Sequence, residues 1–326
     1  MLKDEVLKLL KSSNSYISGQ KICELLKVSR TAIWNSINVL KEEGYKIEST
    51  TNKGYKLISN FDILNEIELI EEFENENIDI KLVYEDSIDS TNSYAKRRSD
   101  EFKDQDVIFI AGEQTRGRGR RTRIWDSPKD TGIWLSLLLH PKIESHKASM
   151  ITLVAALAVV KSLKDIVPKL GIKWPNDIVL SKKKVCGILT EMSADMDGIK
   201  YVICGIGINV NTKSFKPELE NLASSLYIET GKEHIRKEII STLIKEFHLL
   251  YEEFVKVGDL SFLLDEYNKY LLGNNEDITI IGLKDRYEAK QLGINNLGEL
   301  IIEKKDKSID TLISGEISIR GLYTYE

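Results

Sequence analysis

Residues 171–209 read GIKWPNDIVLSKKKVCGILTEMSADMDGIKYVICGIGIN. Three apolar, β-branched runs stand out: Ile172–Leu180, Val185–Met192 and Lys200–Asn209. The links between the last three strand-like pieces are short, Ser181-Lys182-Lys183 and Asp195-Met196-Asp197-Gly198. Links this short join antiparallel neighbours, because a parallel crossover takes a dozen residues or more. The stretch therefore predicts a mainly antiparallel or mixed sheet and excludes a Rossmann domain. Pro175 falls inside the first run, where proline is confined to an edge, a first position or a bulge.

Working outward, Ala148–Ile166 predicts a helix with Met150, Leu153, Val154, Leu157, Val160 and Leu163 on its inner side. A second helix is predicted over 232–256, its core side running from Ile235 to Phe254. From Gly273 onward, short strands broken at Gly282, Gly293, Gly298 and Gly315 predict a small β-barrel or sandwich. The front of the chain differs. Leu2, Val6, Leu9 and Leu10 recur at helical spacing, and Ile22, Leu25 and Leu26 share a face of a short helix after Ser18. Ser29 is an N-cap for a third helix whose buried stripe is Ile33, Ile37 and Leu40, with Gly44 just past its end. Two β-like runs, Tyr45–Ser49 and Tyr55–Ile58, flank the turn Asn52-Lys53-Gly54. Three helices and a hairpin describe a winged helix-turn-helix.

Charge separates the parts. The whole chain carries −5, so any nucleic-acid site must be local. Residues 1–58 hold ten Lys/Arg against six Asp/Glu, a balance of +4, whereas 61–86 hold ten acids and one lysine. The junction is placed near 59–65, giving domains over 1–60, 61–272 and 273–326. Cys23, Cys186 and Cys204 are scattered and form no C-x-x-C pair, and the four histidines are equally dispersed. That pattern fits a reduced, cytoplasmic protein without structural zinc. The apolar run near Met150–Val160 is short for a bilayer span and bounded by lysines, so no membrane association is expected.

The sharpest chemical feature is Arg116-Gly117-Arg118-Gly119-Arg120-Arg121-Thr122-Arg123, followed by Trp125. Five guanidiniums in eight residues repel one another, and such a loop is expected to stay mobile until an anion neutralises it. The planar fork of arginine suits phosphate and carboxylate. Alone, the loop also reads as a solvated basic segment or an RNA-binding patch. Lys173-Trp174-Pro175-Asn176-Asp177 offers groups for ATP and a magnesium ion, or an ordinary charged edge. Lys184 reads alone as a solvated turn lysine. Gly205-Ile206-Gly207-Ile208-Asn209 is a poor nucleotide motif, lacking a third glycine and a following helix. It reads better as a glycine-thinned strand against which a flat ligand lies. Ser90-Thr91-Asn92 supplies hydroxyl and amide groups for a neutral polar ligand head, or the N-cap of a helix over 93–98, or both. No nucleophilic triad is readable. Adenylation fits, because a substrate carboxylate is already a nucleophile and needs only alignment and charge neutralisation.

In this order, S-T-N, Q-x-x-G-R-G-R, K-W-P-N-D and G-x-G-x-N resemble the biotin–protein ligases, specifically the bifunctional ligase/repressor type. The resemblance runs from the winged helix to Gly315–Arg320. It implies an α+β multi-domain fold: winged helix-turn-helix, a mixed-sheet catalytic domain similar to class II aminoacyl-tRNA synthetases, and an SH3-like barrel. It implies a two-step reaction, in which biotin and MgATP give biotinyl-5′-adenylate and a biotin carboxyl-carrier protein lysine then takes the biotinyl group. Ser90, Thr91, Asn92, Gln114, Arg118, Gly119, Arg120 and Lys184 are implied at biotin. Arg120, Arg121, Trp125, Lys173, Asn176, Asp177 and Asn209 are implied at ATP, with Asp177 near magnesium. Arg118, Arg120, Lys184 and Asp177 are implied as catalytic. The adenylate-bound form is implied to dimerise on sheet edges and bind an operator through Ser29, Arg30, Thr31, Trp34 and Asn35, with Lys53 in the wing at phosphate. Arg116 and Thr122 depart from the pattern, where the family more often has a small residue and a glycine. The alternatives are a biotin sensor without turnover and a lipoate–protein ligase.

Overall fold

The computed structural model describes residues 2–59, 62–281, 286–313 and 318–320. Gly282 and Gly315–Ile317 lie outside them. The chain divides into two units, Met1–Leu69 and Ile70–Glu326.

The first unit starts with α1 (Leu2–Lys11), α2 (Gly19–Leu26) and α3 (Arg30–Glu42). The side chains of Ser18 and Ser29 cap α2 and α3 by accepting from Lys21 N and Ala32 N. A tight link through Lys27, left-handed at φ 54°, turns one helix into the next. Strands β1 (Lys46–Thr50) and β2 (Gly54–Ser59) form the antiparallel wing. Ile17 adds a bridge to Tyr55, so the wing is tied back to the helices. Gly54 is required there: its φ is +103°, and a Cβ would sit 2.0 Å from Ile17 O. The core gathers Val6, Leu7, Leu10, Ile22, Ile33, Ile37 and Leu40. Leu25, expected on the inner face of α2, is 55% exposed, because the interior turn of that short helix is filled by Ile22. The last helix of the unit, α4 (Glu66–Asn75), begins here. Its buried Glu68 pairs with Lys11 and accepts from the Tyr45 hydroxyl at 2.9 Å. Asn65 donates to the same hydroxyl and caps Glu68 N.

The second unit is built on one seven-stranded sheet. It holds β3 (Lys81–Ile88), β4 (Val107–Gln114), β5 (Gly132–Leu139), β6 (Gly171–Lys173), β7 (Asp177–Leu180), β8 (Lys183–Asp195) and β9 (Gly198–Asn209), in the order β3-β4-β5-β9-β8-β7-β6. Only β3 and β4 run parallel, joined by a crossover through α5 (Thr91–Arg98). All other pairs are antiparallel, as the short links demand. The run Ile172–Leu180 is not one strand. Trp174–Asn176, with a cis Trp174–Pro175 bond, turns it into the hairpin β6–β7. Proline cannot donate to a ladder, so the break falls where it stands.

The apolar helix starts later than its composition suggests, as a 3-10 segment Ser145–Met150 leading into α6 (Ile151–Leu163). It has no single inner side, for Ala155, Ala156, Ala158 and Val159 are buried as fully as Leu153 and Leu157. Ser145–Leu163 has the length and apolarity of a membrane span, and 72% of it is buried within the protein. Behind it come α7 (Leu226–Thr230), α8 (Arg236–Val257), which packs on α6, and α9 (Leu264–Tyr270). The C-terminal part is an antiparallel sheet of β10 (Asp277–Ile281), β11 (Arg286–Ile294), β12 (Leu300–Glu303), β13 (Ile309–Leu312) and β14 (Ser318–Arg320), consistent with an SH3-like domain. Its Asn295–Gly298 turn accepts from the buried Trp174 indole at 3.0 Å, tying this sheet to the K-W-P-N-D hairpin.

The Glu68 network yields a stability prediction. Removing one partner of a buried ion pair leaves an uncompensated charge and costs about 3 kcal/mol. Glu68→Ala should lower denaturant stability of the first unit by that order. Equal stability of Glu68→Ala and the parent would show that the pair contributes nothing.

Candidate active site

Strand alternation gives the sheet two faces. Gly205 and Gly207 of β9 face the arginine loop, whereas Cys204 faces α6, where Thr190 bonds both its thiol and Thr152. On the loop side two rows cross the sheet. Ser136, Gly205 and Leu189 are register partners in one; Trp134, Gly207 and Gly187 are partners in the other. A cleft opens over these rows.

The floor of the cleft is polar. Ser90 is the N-cap position of α5, but its side chain makes no cap bond and remains buried in the cleft wall. Of the two readings of Ser90-Thr91-Asn92, the cap holds only for the backbone. Ser136 Oγ lies 2.7 Å from both Thr91 Oγ1 and Asn92 Oδ1, and its single proton goes to Asn92 Oδ1, which can only accept. Gln114 Oε1 accepts from Thr91 N at 2.8 Å, and its amide donates to Ser127 Oγ. Asn92 donates to Leu189 O and to Glu191 Oε2. Just before Ser90, Asp89 is gripped by both Nη atoms of Arg97 at 2.7 and 2.8 Å. Those bonds hold its carboxyl below the usual carboxylate range.

The arginine loop folds over this floor. Gly119 N donates to Arg123 O and Trp125 N to Gly117 O, so the segment doubles back on itself. Two of its arginines find partners within the protein. Arg118 pairs with Glu191 at 3.1 Å, and Arg120 donates to Asn176 Oδ1 at 2.8 Å. Burial lowers the Arg120 pKa, and the Asp177 charge opposes that shift. Lys184 is paired to Asp177 at 2.6 Å, with its Nζ 5.0 Å from the centroid of Trp125. Arg121 and Thr122 sit at φ 54° and 61°. A β-branched residue is strained there, which is a physical reason for glycine to suit position 122.

The flat group over the glycine-thinned strand is the protein's own. A Cβ on Gly207 would lie 2.5 Å from Trp125 Nε1, and one on Gly187 3.0 Å from the same ring. Gly205 meets the Asn92 amide instead, at 2.0 Å. The indole N–H is buried with no hydrogen-bond acceptor.

Ser90, Thr91, Asn92 and Gln114 therefore come together with Arg118, Gly119 and Arg120, and with Trp125, Asn176 and Lys184, around one cleft. Four other sequence candidates do not line it. Asn209 is buried and donates to Ser224 O, which anchors the end of β9. Asp177 stands behind Lys184, Lys173 lies at the end of β6, and Arg121 points outward on the loop. Ser136, Ser127, Asp89 and Glu191 were not singled out by the sequence. A second, more open cleft adjoins the first and shares Arg120, Asn176, Ile188 and Leu189 with it. Among the described residues no three His, Cys, Asp or Glu side chains gather as a metal site.

Residues 84–209 match the biotin/lipoate A/B protein ligase family, and residues 3–56 match a helix-turn-helix domain. The bifunctional ligase/repressor BirA of Bacillus subtilis is 36% identical over 320 residues, covering 97% of this chain and 98% of that one. Its Escherichia coli counterpart is 30% identical, covering 98% and 99%. The chain belongs to the bifunctional ligase/repressor family of biotin–protein ligases. The biotin protein ligase of Aquifex aeolicus, solved with biotin and ATP, superimposes with a TM-score of 0.64 at 30% identity, over 74% of this chain and 98% of its own. In this ligase-family chain, the exposed first turns of α3 present Arg30, Thr31, Trp34 and Asn35, with Trp34 57% exposed. Lys53 is exposed in the wing, its Nζ 5.7 Å from the Tyr16 ring.

The missing Cβ atoms can be tested directly. Gly207→Ala should drive the Trp125 indole off the sheet, shifting tryptophan emission to the red. The shift should vanish in a Trp125→Phe background; an unchanged spectrum in Gly207→Ala would contradict the packing.

Proposed function

We propose that the chain is an ATP-dependent biotin–protein ligase that also acts as a biotin-responsive transcriptional repressor. The observation that carries this reading is the convergence of Arg118, Arg120 and Lys184 on a cleft whose floor is a neutral polar row. A neutral head group suits Ser90, Thr91, Asn92 and Gln114, which offer hydroxyls and amides without net charge. The carboxylate end then lies under the arginine loop. There its oxygen attacks the α-phosphorus of ATP, and the bond to the pyrophosphate oxygen breaks. Arg118, Arg120 and Lys184 neutralise the charge on the carboxylate and phosphate oxygens as that bond changes hands. In the second step the ε-amine of a carrier-protein lysine attacks the acyl carbon, loses a proton, and releases AMP. The adjoining cleft gives that lysine an approach past Asn176.

Magnesium bound to the ATP phosphates would supply positive charge there, and Asp177 is the residue that would meet it. Asp177 offers one carboxylate, already shared with Lys184, so it serves as a single oxygen contact and not as a cage. Arg121, Trp125, Lys173, Asn176 and Asn209 complete the ATP region, with Asn209 acting through the strand end it anchors. Catalysis resides in 61–272, DNA recognition in 1–60, and 273–326 braces the K-W-P-N-D hairpin. The protein works in the cytoplasm, dimerises on sheet edges when it holds the adenylate, and then binds operator DNA. Ser29 caps the recognition helix, Arg30, Thr31, Trp34 and Asn35 face the major groove, and Lys53 meets phosphate.

Three measurements test this reading. With ATP and magnesium, pyrophosphate should be released with biotin and not with lipoate; release with lipoate alone, or with neither acid, would refute it. Arg118→Ala should lose tight adenylate retention, its off-rate rising about 100-fold for a charge-assisted contact of about 3 kcal/mol. In a gel shift, the protein's own upstream DNA should be retarded only when both biotin and ATP are present.

A further inference from the structure

We propose that Asp89 and Arg97 are a positioning pair for Ser90: together they secure the start of α5, so that the Ser90 hydroxyl is released from helix capping and serves the cleft. The proposal rests on the ligase reading only in taking the neutral head of biotin as the group that Ser90 meets.

A serine at the N-cap position ordinarily spends its hydroxyl on an amide of the first turn. Ser90 does not. Its hydroxyl makes no cap bond, and the residue is buried in the cleft wall. Other groups secure the start of the helix instead. Asp89 Oδ1 accepts from Ser90 N at 2.8 Å, and Gln114 Oε1 accepts from Thr91 N at 2.8 Å. Asp89 also reaches two turns along α5 to Arg97, whose Nη1 donates to Oδ2 at 2.7 Å and whose Nη2 donates to Oδ1 at 2.8 Å. Such a two-pronged pair fixes direction as well as distance. The guanidinium is braced in turn. Its Cζ lies 5.6 Å from the centroid of the Tyr94 ring, and the Tyr94 hydroxyl donates to Glu85 of β3 at 2.5 Å. A carboxylate, a guanidinium and a phenol thus tie residues 89–97 to the sheet. Arg97 and Asp89 are 54% and 38% exposed, so the clamp lies toward solvent while Ser90 lies toward the cleft. Water screens the pair's attraction, and the expected effects are modest.

Asp89→Ala and Arg97→Ala remove the pair from either end. Steady-state pyrophosphate release by the full chain separates positioning from general support. Each variant should raise KM for biotin about threefold, with KM for ATP and kcat changing by less than about twofold. Ser90→Ala should raise KM for biotin about fivefold, the loss of one neutral hydrogen bond. Because Asp89 acts through Ser90, the double variant Asp89→Ala/Ser90→Ala should match Ser90→Ala, at about fivefold and not about 15-fold. Effects that multiply, or equal changes in all three parameters, would overturn the proposal, and so would an unchanged KM for biotin in both single variants. Hydrogen exchange over 90–97 gives a readout that needs no ligand. It should be about threefold faster in Asp89→Ala and in Arg97→Ala than in the parent, and no faster when the two are combined. Exchange equal to the parent's in both would overturn the clamp whatever the protein binds. A parent that releases no pyrophosphate with biotin would sink the ligase reading alone, and the exchange comparison would still judge the pair.

Discussion

The site depends on what Gly205 and Gly207 lack. On an ordinary strand, side chains on one face stand a few ångströms above the backbone and keep other groups away. Here the Asn92 amide and the Trp125 indole rest on bare backbone, in positions a Cβ would occupy. That close approach sets the height of the whole cleft. It lets Asn92 reach Leu189 O and Glu191, and it brings the end of the arginine loop down to Gly187 and Lys184. Ser136, directly across from Gly205, fills the same row from β5 and fixes the amide. A single glycine-spaced strand thus joins the neutral floor to the cationic roof.

The roof is an electrostatic compromise. Five guanidiniums within eight residues cannot pack without counter-charge or hydrogen-bond acceptors. Glu191 supplies a charge to Arg118, and Asn176 supplies an acceptor to Arg120, with Asp177 close enough to raise the Arg120 pKa against burial. Asp177 is spent on Lys184 at the same time. One β6–β7 hairpin therefore serves two cations, which explains why its residues lie behind the cleft as much as in it. Trp174 locks that hairpin to the C-terminal sheet through Gly298 O, so the acceptors for the loop stand on a fixed base.

Much of this was legible in the sequence, for reasons that differ by element. The winged helix followed from caps and periodicity, because Ser18, Ser29 and Gly44 are local signals with local consequences. The antiparallel order of β7, β8 and β9 followed from link length alone. The arginine loop, Gln114, Ser90–Asn92 and Lys184 were readable as chemistry because rare residue types cluster in short segments. Glu191, Ser136 and Asp89 were not readable. Each is a common residue whose meaning comes from a partner far along the chain, such as Arg118, 73 positions from Glu191. Leu25 and the start of α6 were misjudged because periodicity counts apolar residues without knowing which face tertiary contacts leave open. The loop's partners were hidden for a related reason: its repulsion is visible in sequence, whereas Glu191 and Asn176 are not visible as the groups that meet Arg118 and Arg120.

The chemistry that remains is consistent with the groups the fold leaves reactive. Cys186 and Cys204 sit next to the site on β8 and β9, yet both are buried. Desolvation pushes the Cys186 thiol far above its ordinary range and the Cys204 thiol up to about 12. A thiolate nucleophile from either would have to be formed against that burial, so neither cysteine supports covalent catalysis. The cleft instead presents guanidiniums, an ammonium and fixed amides, which align and neutralise without forming a bond to the substrate. Such groups serve a reaction whose nucleophiles, a carboxylate and then an amine, are brought in by the reactants themselves.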